Sequence, residues 1–373
     1  MILIVNGINT AKGGSGAHLL DTWLRSLDSH GRAHRTLDTI PALGGVRSGV
    51  LRALLLALYF LPGTLLRVLR LPLFELTYKF SPFLAWKFVT AVRRLRPGHV
   101  LFSHHAIFWL SLFLARERSH FIVHDLLYRR SRSLGFGRRI SKFVFVVERR
   151  LYRRAASLLC LSYQEHRILR RFGFGRCSLV SCYAGEVEIR PPVQYDARRF
   201  AVVSDWRRHE NTHGIRTFFQ RSASESPAAA GAPLHCSVYG FQSEALGEML
   251  ARIPGLAATA QVDIRGSYKD HGAIPEGVFL IPIYQGAGIK IKLLEALRHR
   301  RFVFGTRGAF EGMPRRWLAG VTQIANSTAD IAGASLQVDA RAFDEFEQTY
   351  NSHFLALGAV DLDVGDRETA QPA

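Results

Sequence analysis

Two glycines stand where a buried strand gives way to a helix in the second half of the chain. The apolar run 278–283 predicts a strand ending at Pro282, and Gly286 and Gly288 precede a helix expected to begin near Ile289. Glycine lets the backbone approach a ligand closely, and the first-turn amides of a helix attract anions. The segment therefore predicts a site for a diphosphate, with the amides around these residues as hydrogen-bond donors.

Charged side chains follow within the same expected helix. Lys290 and Lys292 can supply positive charge to a diphosphate, but residues two apart in a helix point to different faces, so we expect only one to meet the ligand. Glu295 lies three residues after Lys292, one turn along the same face. A lysine for phosphate and a carboxylate for ribose hydroxyls together predict a nucleotide site. The alternative is a solvated Lys–Glu pair.

Histidines follow two other expected strands. His104 and His105 come after one apolar run, and His124, with Asp125, comes after the next. Because open α/β sheets bind ligands at the carboxyl ends of their strands, these are candidate binding residues. The alternative for each is a polar residue in a turn. Neighbouring side chains at a strand end point apart, so His124 and Asp125 do not by themselves predict a relay.

A second glycine-rich loop, 12–16, follows the first apolar run and precedes a helix expected from His18. It contains Gly14 and Gly16 but matches neither the dinucleotide-binding nor the P-loop spacing of glycines. Such a loop either binds an anion or simply connects a strand to a helix. The chain has no GxSxG nucleophile motif, and its four cysteines lack the spacing of a zinc site or a disulfide scaffold.

Eight short apolar runs, each followed by a turn and then by helical periodicity, position these residues. Strands that alternate with helices indicate an α/β protein with parallel sheets. The pattern restarts near residue 200, after the proline-containing stretch 186–199, which suits a linker. We expect two doubly wound domains, at 1–190 and 198–355, and a polar tail at 356–373. The expected strands are 2–5, 100–102, 121–123, 157–161, 200–203, 236–239, 278–283 and 302–304.

Charge is divided unequally along the chain, whose formal net charge is +19. Residues 1–200 hold 32 Lys and Arg against 11 Asp and Glu, whereas residues 201–373 hold 17 against 19. A half this basic binds anions such as phospholipid headgroups, nucleic acid or an anionic substrate. The first residues lack the charged n-region and the small-residue cleavage site of a secretory signal, so we expect no such signal.

The basic half contains one long apolar segment, 50–96, in which Arg and Lys alternate with Leu, Phe and Trp86. Its longest uncharged run, 53–66, is too short to span a bilayer. We expect it to form interfacial helices on an anionic membrane surface, with the long basic side chains reaching the headgroups. The alternative is a pair of buried helices with solvated arginine ends.

The block 282–312 resembles the nucleotide-sugar motif of retaining glycosyltransferases with the GT-B fold, in particular those of glycosyltransferase family 4. Segment 200–219 is similar to the first strand and helix of that family's C-terminal domain, and segment 148–173 and the loop 12–16 resemble parts of its N-terminal domain. The matching positions of the block are Gly286, Gly288, Lys292, Glu295, Ala296, Val303, Thr306, Gly308, Glu311 and Gly312.

The resemblance implies two Rossmann-like, doubly wound domains that face a cleft, with the nucleotide on the C-terminal domain. Lys292, with Arg207 or Arg208, would neutralise the donor diphosphate, and Glu295 would bind the ribose hydroxyls. Glu311 would also belong to the donor site. The remaining donor-binding positions are Gly14, Gly16, Gly286, Gly288 and Ile289.

His124 corresponds to a histidine that contacts the donor sugar, so the resemblance counts it with Arg207 and Lys292 as catalytic. Neither a metal nor a cofactor is expected beside the nucleotide sugar. The chain departs from many relatives at Ala287, where they carry a second glutamate.

These observations predict an enzyme that transfers a sugar from a nucleotide-diphosphate sugar to a lipid-linked or other saccharide acceptor, with retention. We expect it at the cytoplasmic face of the cell membrane, in surface polysaccharide or lipopolysaccharide assembly, without a nucleic-acid partner. The alternatives are a non-catalytic GT-B relative, a nucleotide-sugar epimerase, an inverting transferase and a nucleic-acid-binding protein.

Overall fold

The computed structural model describes residues 1–7, 15–39, 49–50, 57, 61, 65, 81–133, 135–183, 194–225, 233–268 and 271–363. The chain forms two compact units. The first consists of Met1–Gly185 and Phe354–Ala373, and the second of Glu186–His353. Each unit contains one six-stranded sheet whose strands all pair in parallel. The predicted α/β class with parallel sheets is confirmed.

The first unit has the strand order β2-β1-β3-β4-β5-β6. Its strands are β1 (Ile2–Asn6), β2 (His34–Asp38), β3 (His99–Phe102), β4 (Ser119–Val123), β5 (Ser157–Cys160) and β6 (Cys177–Leu179). Its described helices are α1 (Ser15–Ser29), α2 (Pro82–Leu95), α3 (Leu127–Ser133), α4 (Arg138–Tyr152) and α5 (Tyr163–Arg171), with 3₁₀ helices at His105–Phe113, Arg116–Arg118 and Leu357–Ala359.

The second unit has the strand order β12-β11-β10-β7-β8-β9. Its strands are β7 (Arg199–Val203), β8 (Leu234–Tyr239), β9 (Ala260–Gly266), β10 (Val278–Ile281), β11 (Phe302–Gly305) and β12 (Thr322–Ile324). Its helices are α6 (His209–Ser224), α7 (Ser243–Ala251), α8 (Leu256–Thr259), α9 (Ile291–Arg298), α10 (Thr328–Ala332) and α11 (Ala340–His353), with 3₁₀ helices at His271–Ala273, Arg307–Phe310 and Arg315–Leu318.

Continuous apolar runs form the middle of both sheets because parallel strands are covered on both faces. All eight expected strands are present, and β1, β4 and β10 are buried along their whole length. The four strands that the sequence did not predict are β2, β6, β9 and β12, which are the edge strands of the two sheets. Edge strands meet water on one side, and β9 accordingly alternates between more and less buried residues.

Two helices begin at other residues than their sequences indicate. α1 begins at Ser15 rather than His18, so Gly16 lies in its first turn, while Gly14 falls outside the described residues. α9 begins at Ile291 rather than Ile289, and Lys290, with extended backbone angles, is its N-cap. The glycine-rich loop before α9 is therefore two residues longer than expected.

The expected polar tail is wrong for residues 356–363, and the second unit ends at His353 instead of residue 355. Leu357, Val360 and Leu362 are buried in the first unit, and the amide of Gly358 donates to Ser26 Oγ of α1 over 3.0 Å. The first unit is thus completed by the returning end of the chain. Residues 364–373, and 186–193 of the expected linker, lie outside the described residues.

Segment 50–96 is described only at residues 50, 57, 61, 65 and 81–96. The last of these form α2, in which Leu84 and Phe88 are buried while Phe83 and Trp86 are exposed. Within the described ranges, no helix has both the length and the apolar composition needed to cross a bilayer.

We expect Gly358→Ala to destabilise the first unit by about 1–3 kcal/mol, because the new methyl group overpacks a closed contact. A Cβ at Gly358 would lie 2.2 Å from the Ser26 carbonyl oxygen and 2.6 Å from His30 Nδ1. Gly175→Ala is the matched control, since a Cβ there meets open space. Urea unfolding followed by circular dichroism checks this, and equal midpoints for the two variants would contradict the packing of 354–363 on α1.

Candidate functional site

The strand order of the second sheet reverses between β7 and β10. These two strands pair directly, and the chain runs from β7 towards one edge of the sheet and from β10 towards the other. Open α/β sheets bind ligands at such a reversal, beyond the carboxyl ends of the strands. The loops that leave this point are 204–208 after β7 and 282–290 after β10. They contain four of the eight predicted donor-binding residues: Arg208, Gly286, Gly288 and Ile289.

Glycines hold the loop after β10 in place by close backbone contact. A Cβ on Gly214 of α6 would lie 1.9 Å from the Pro282 carbonyl oxygen, and one on Gly308 would lie 2.4 Å from the Ile283 carbonyl oxygen. Thr306 Oγ1 also donates to the Ile283 carbonyl. Because no side chain fits at either glycine, α6 and the segment after β11 clamp the first residues of the loop.

Further along, the loop turns at glycines with positive φ. Gly286 has φ of 132° and Gly288 of 70°, values that favour glycine. A Cβ on Gly312 would lie 2.9 Å from Ile289 Cα, so the loop that contains Gly312 packs directly against this turn. Glu311, which precedes Gly312, is half-buried beside the turn. The structure thus brings Gly286, Gly288, Ile289 and Glu311 together.

The side chain of Lys292 extends from α9 to the end of β7. Its Nζ donates to Ser204 Oγ over 2.7 Å and to Asn211 Oδ1 over 3.0 Å. Burial lowers the pKa of this ammonium from 10.5 to about 7, and the positive charges of Lys290 and Arg208 add to the effect. Glu210 acts in the opposite direction but is the smallest of these influences. A largely desolvated cation that is hydrogen-bonded to neutral groups and lies near other cations is stabilised by a bound anion.

Lys290 and Lys292 point to different places, as their spacing predicts. Lys290 Nζ folds back onto its own loop, where it donates to the carbonyl oxygens of Ala287 (2.9 Å) and Gly288 (3.1 Å). Lys290 therefore shapes the turn, and Lys292 is the lysine placed at the strand reversal.

The two arginines that follow β7 differ in their surroundings. Arg207 is exposed and forms a bidentate pair with Asp205, with distances of 2.8 and 2.7 Å, while its guanidinium lies 4.4 Å from the centre of the Phe241 ring. This pairing lowers the pKa of Asp205. Arg208, at the N-cap of α6, is the arginine whose charge acts on Lys292. Of the two candidates for the diphosphate, the geometry favours Arg208 over Arg207.

Glu295 lies one helical turn beyond Lys292 and is about three-quarters buried. Burial raises the pKa of its carboxyl from 4.5 to about 7. His271 Nδ1 lies 3.6 Å from Glu295 Oε2, and the His271 ring packs edge-on against Tyr268, with 5.3 Å between ring centres. Ser204 and His271 carry no motif in the sequence, and Asn211 belongs to the resemblance of segment 200–219 without having been given a role in the site. Only the folded chain brings these three residues to α9.

Histidines gather at the strand reversal of the first sheet, between β1 and β3. His124 Nε2 lies 2.7 Å from the Ser103 carbonyl oxygen, and since a carbonyl only accepts, Nε2 carries the hydrogen. Burial lowers the pKa of His124, so its Nδ1 is left as an acceptor. The rings of His104 and His124 are 5.8 Å apart, and the His104 and His105 rings 3.9 Å.

Asp125 follows His124 at the reversal of the first sheet. Asp125 lies 4.0 Å from His105 Nδ1 and 3.8 Å from Arg130, at the limit of ion pairing. In the described part of the chain, no three His, Cys, Asp or Glu side chains cluster closely enough to hold a metal ion. No disulfide joins the four cysteines, all of which lie within the described residues.

Comparison with known proteins identifies the fold. No protein-family profile matches the chain, and no curated protein matches its sequence. The Anabaena protein HepE, solved with UDP and glucose, is similar with a TM-score of 0.61 and 13% identity over 97% of this chain and 96% of that one. A sucrose-phosphate synthase from Thermosynechococcus elongatus gives 0.55 and 13% over 94% and 98%, and a glycosyltransferase from Rickettsia africae gives 0.55 and 10% over 95% and 94%.

These similar structures have the GT-B fold, and the present chain shares it. The fold class that the sequence predicted is therefore confirmed. At identities of 10–13%, the similarity establishes the fold. The reaction has to be argued from the residues of the site.

We expect Lys292→Met to raise the stability of the protein by about 1–3 kcal/mol near pH 7, because it removes a desolvated charge from the interior. The folded-state pKa of about 7 lies below the unfolded value of 10.5, so the unfavourable contribution of Lys292 is complete below pH 7 and disappears as the pH approaches 10.5. Urea unfolding at about pH 6.5 and about pH 9.5 measures this, and the gain should shrink at the higher pH.

The matched control is Lys142→Met, which removes an exposed lysine from α4. It should change stability little at either pH. If Lys292→Met destabilises the protein at both pH values, its hydrogen bonds to Ser204 and Asn211 outweigh the desolvation of the ammonium.

Proposed function

We propose that the protein is a glycosyltransferase that uses a nucleotide-diphosphate sugar as donor and transfers the sugar with retention of configuration. The single observation that carries this proposal is the buried ammonium of Lys292 at the strand reversal, next to a glycine-rich loop and under the positive charge of Arg208 and Lys290. The GT-B fold supports it, because the similar structures include the Anabaena protein HepE solved with UDP and with UDP-glucose.

In this proposal the diphosphate lies over the loop 286–289, where backbone amides and Lys292 meet it. Arg208 adds charge from the N-terminus of α6, and Lys290 keeps the loop closed through its bonds to Ala287 and Gly288. Charge builds up on the departing diphosphate as the glycosidic bond breaks. Fixed cations and amides stabilise that charge without reorganising, which is where such an enzyme obtains most of its rate.

Glu295, one turn further along α9, accepts hydrogen bonds from ribose hydroxyls. His124 offers the lone pair of Nδ1, and its proposed role is to accept a hydrogen bond from a hydroxyl of the donor sugar. Its Nε2 is already bound to the Ser103 carbonyl, so His124 positions the sugar and does not deliver a proton. Retention, with the acceptor hydroxyl attacking from the side of the leaving group, requires no nucleophile from the protein. The reaction is proposed to need neither a metal nor a cofactor, since the cations named above supply the charge.

The proposed acceptor is a saccharide, in particular a lipid-linked one, at the cytoplasmic face of the cell membrane. The basic first half of the chain supports this part, as do the exposed Phe83 and Trp86 of α2, which lie within segment 50–96. Assembly of surface polysaccharide or lipopolysaccharide is the proposed setting.

We expect UDP to bind the wild-type protein, and Lys292→Met to weaken this binding about 10- to 100-fold, as loss of a charged hydrogen bond does. Glu295→Gln should weaken it about 3- to 10-fold, because the amide remains an acceptor of lower strength. Isothermal titration calorimetry measures both, with GDP, ADP and CMP tested in parallel to identify the base. NMR analysis of the transfer product then reports the anomeric configuration.

Glu345→Gln is the matched control, because this exposed carboxylate lies on α11 and not in α9 or the loops that leave the strand reversal. It should bind UDP like the wild type. The proposal is wrong if none of the four nucleotides binds, or if binding is unaffected by Lys292→Met. A product with inverted configuration would support glycosyl transfer but exclude retention.

Affinity for UDP-glucose should pass through a maximum near pH 7. The diphosphate favours the protonated form of Lys292, whose pKa is about 7, so affinity falls above that pH. The ribose hydroxyls favour ionised Glu295, whose pKa is also about 7, so affinity falls below it. UDP-glucose suits the titration because its diphosphate, esterified at both ends, has no proton to lose in this range.

The two variants separate the limbs of this profile. Lys292→Met should lose the fall above pH 7, and Glu295→Gln should lose the fall below it, each limb having a slope of at most about tenfold per pH unit. A profile that keeps both limbs in both variants would assign the titration to other groups.

A further inference from the structure

Eight of the 14 large apolar side chains that the described part of the first unit exposes lie on, or next to, three helices that cover one face of its sheet. Phe102 of β3 pairs with Phe121 of β4, so the two rings project from the same face. Phe102 contacts Phe88 of α2, while Phe121 stacks on Phe108 of the 3₁₀ helix His105–Phe113 and also meets Tyr152 of α4. These three helices therefore cover the same face of the sheet, and their outer sides form one surface.

The outer side of α4 is apolar where a water-facing helix is ordinarily polar. Ile140, Phe143 and Val146 are exposed, Phe143 to 51%, and Phe136 is exposed just before the helix begins. The spacing of three residues from 140 to 143 to 146 places these side chains along one stripe. The buried side of the same helix is formed by Ser141, Val144, Glu148 and Tyr152. The helix thus has apolar residues both inside and outside.

All exposed charge on α4 is positive. Arg138, Arg139, Lys142 and Arg150 are exposed and flank the apolar stripe. The acidic residue of the helix, Glu148, is buried, where it accepts hydrogen bonds from the Leu127 amide (2.8 Å), the Tyr128 amide (3.3 Å) and the Tyr152 hydroxyl (2.7 Å).

The neighbouring helices extend the same pattern. Leu112 and Phe113 are exposed at the end of the 3₁₀ helix, and Phe83 and Trp86 on α2, with Trp86 exposed to 65%. We call this surface the basic apolar face: the exposed side chains of α2, of the 3₁₀ helix His105–Phe113, and of α4 with Phe136. By contrast, the described residues of the second unit expose one large apolar side chain, Phe241, which lies under Arg207.

We propose that the basic apolar face docks the protein onto an anionic lipid bilayer. Rings and branched side chains at this density enter the headgroup region, while arginine and lysine beside them contact lipid phosphates. A nucleic acid would use the positive charge but leave the eight apolar side chains in water, and a basic protein surface would be repelled. An anionic bilayer satisfies both properties at once.

This docking deepens the proposed function, on which it rests for its purpose, since a lipid-linked acceptor lies in the same bilayer. It also extends the membrane contact expected of segment 50–96, to which α2 belongs, to α4 and the 3₁₀ helix His105–Phe113. α4 and the 3₁₀ helix follow that segment in sequence, and their side chains are described in full.

The test measures cosedimentation of the full chain with vesicles of phosphatidylcholine containing about one third phosphatidylglycerol, and with vesicles of phosphatidylcholine alone. The wild type should bind the anionic vesicles, bind the neutral ones more weakly, and lose affinity as salt is raised. Arg139→Glu/Lys142→Glu/Arg150→Glu should bind anionic vesicles at least about 100-fold more weakly, since each basic residue near such a surface contributes about fivefold. Phe143→Ser/Val146→Ser should bind anionic vesicles about tenfold or more weakly, because it loses apolar contacts with the bilayer.

The matched control is Arg252→Glu/Arg316→Glu/Arg341→Glu, which changes the net charge equally through exposed residues of the second unit. It should bind anionic vesicles nearly as the wild type does. UDP binding, measured on every variant, confirms folding and separates the two proposals. Loss of vesicle binding with UDP binding intact is expected of the α4 variants, whereas a wild type that binds vesicles but no nucleotide contradicts only the proposed function.

Three outcomes would overturn the docking proposal. The wild type could fail to bind anionic vesicles while binding UDP. The second-unit control could lose as much vesicle affinity as the α4 charge variant, which would mean that binding depends only on the net charge of the protein. A random single-stranded oligonucleotide could bind more tightly than the vesicles and depend on Arg139, Lys142 and Arg150 but not on Phe143, which would assign the face to nucleic acid.

Discussion

The candidate site depends on how closely the backbone after β10 approaches its neighbours. The carbonyl oxygens of Pro282 and Ile283 lie where a Cβ on Gly214 or Gly308 would stand, and Ile289 is held in the same way by Gly312. These contacts fix the position of the loop at the end of β7. α9 therefore starts at a fixed place, from which Lys292 reaches Ser204 and Asn211. Several glycines of the block 282–312 thus act by permitting contact between backbones.

The same helix holds two buried groups of opposite charge, one turn apart, and neither is neutralised by the other. Lys292 is hydrogen-bonded to neutral oxygens, and Glu295 lies beside His271. Both pKa values are moved towards 7 by burial, in opposite directions, so the folded protein bears an electrostatic cost on each. A ligand with an anionic part and a hydroxyl-bearing part would relieve both costs, which gives affinity to a site that is unfavourable when empty.

Sequence patterns predicted the interior of the structure better than its margins. Continuous apolar runs identified the eight interior strands, but β2, β6, β9 and β12 mix polar residues with apolar ones because each forms the edge of a sheet. The segment 356–363 has only isolated apolar residues, so nothing local marks its return to α1. In the site, helical spacing was enough to predict that Lys292 and Glu295 lie on the same face of one helix. His271, Ser204 and Asn211 could not, because their contacts with α9 join residues distant in sequence, and the pairing of Arg207 with Asp205 depends on the turn after β7.

The return of residues 354–363 to α1 makes the second unit an insertion within the first, and this sets an order on biosynthesis. A ribosome releases the chain from its N-terminus, so the sheet of the first unit emerges long before the segment that covers α1. The second unit, whose residues are consecutive, has everything it needs to fold before that segment appears. Until then the apolar positions that Leu357, Val360 and Leu362 will cover stay open. The segment that closes the first unit thus emerges only after the whole second unit has been synthesised.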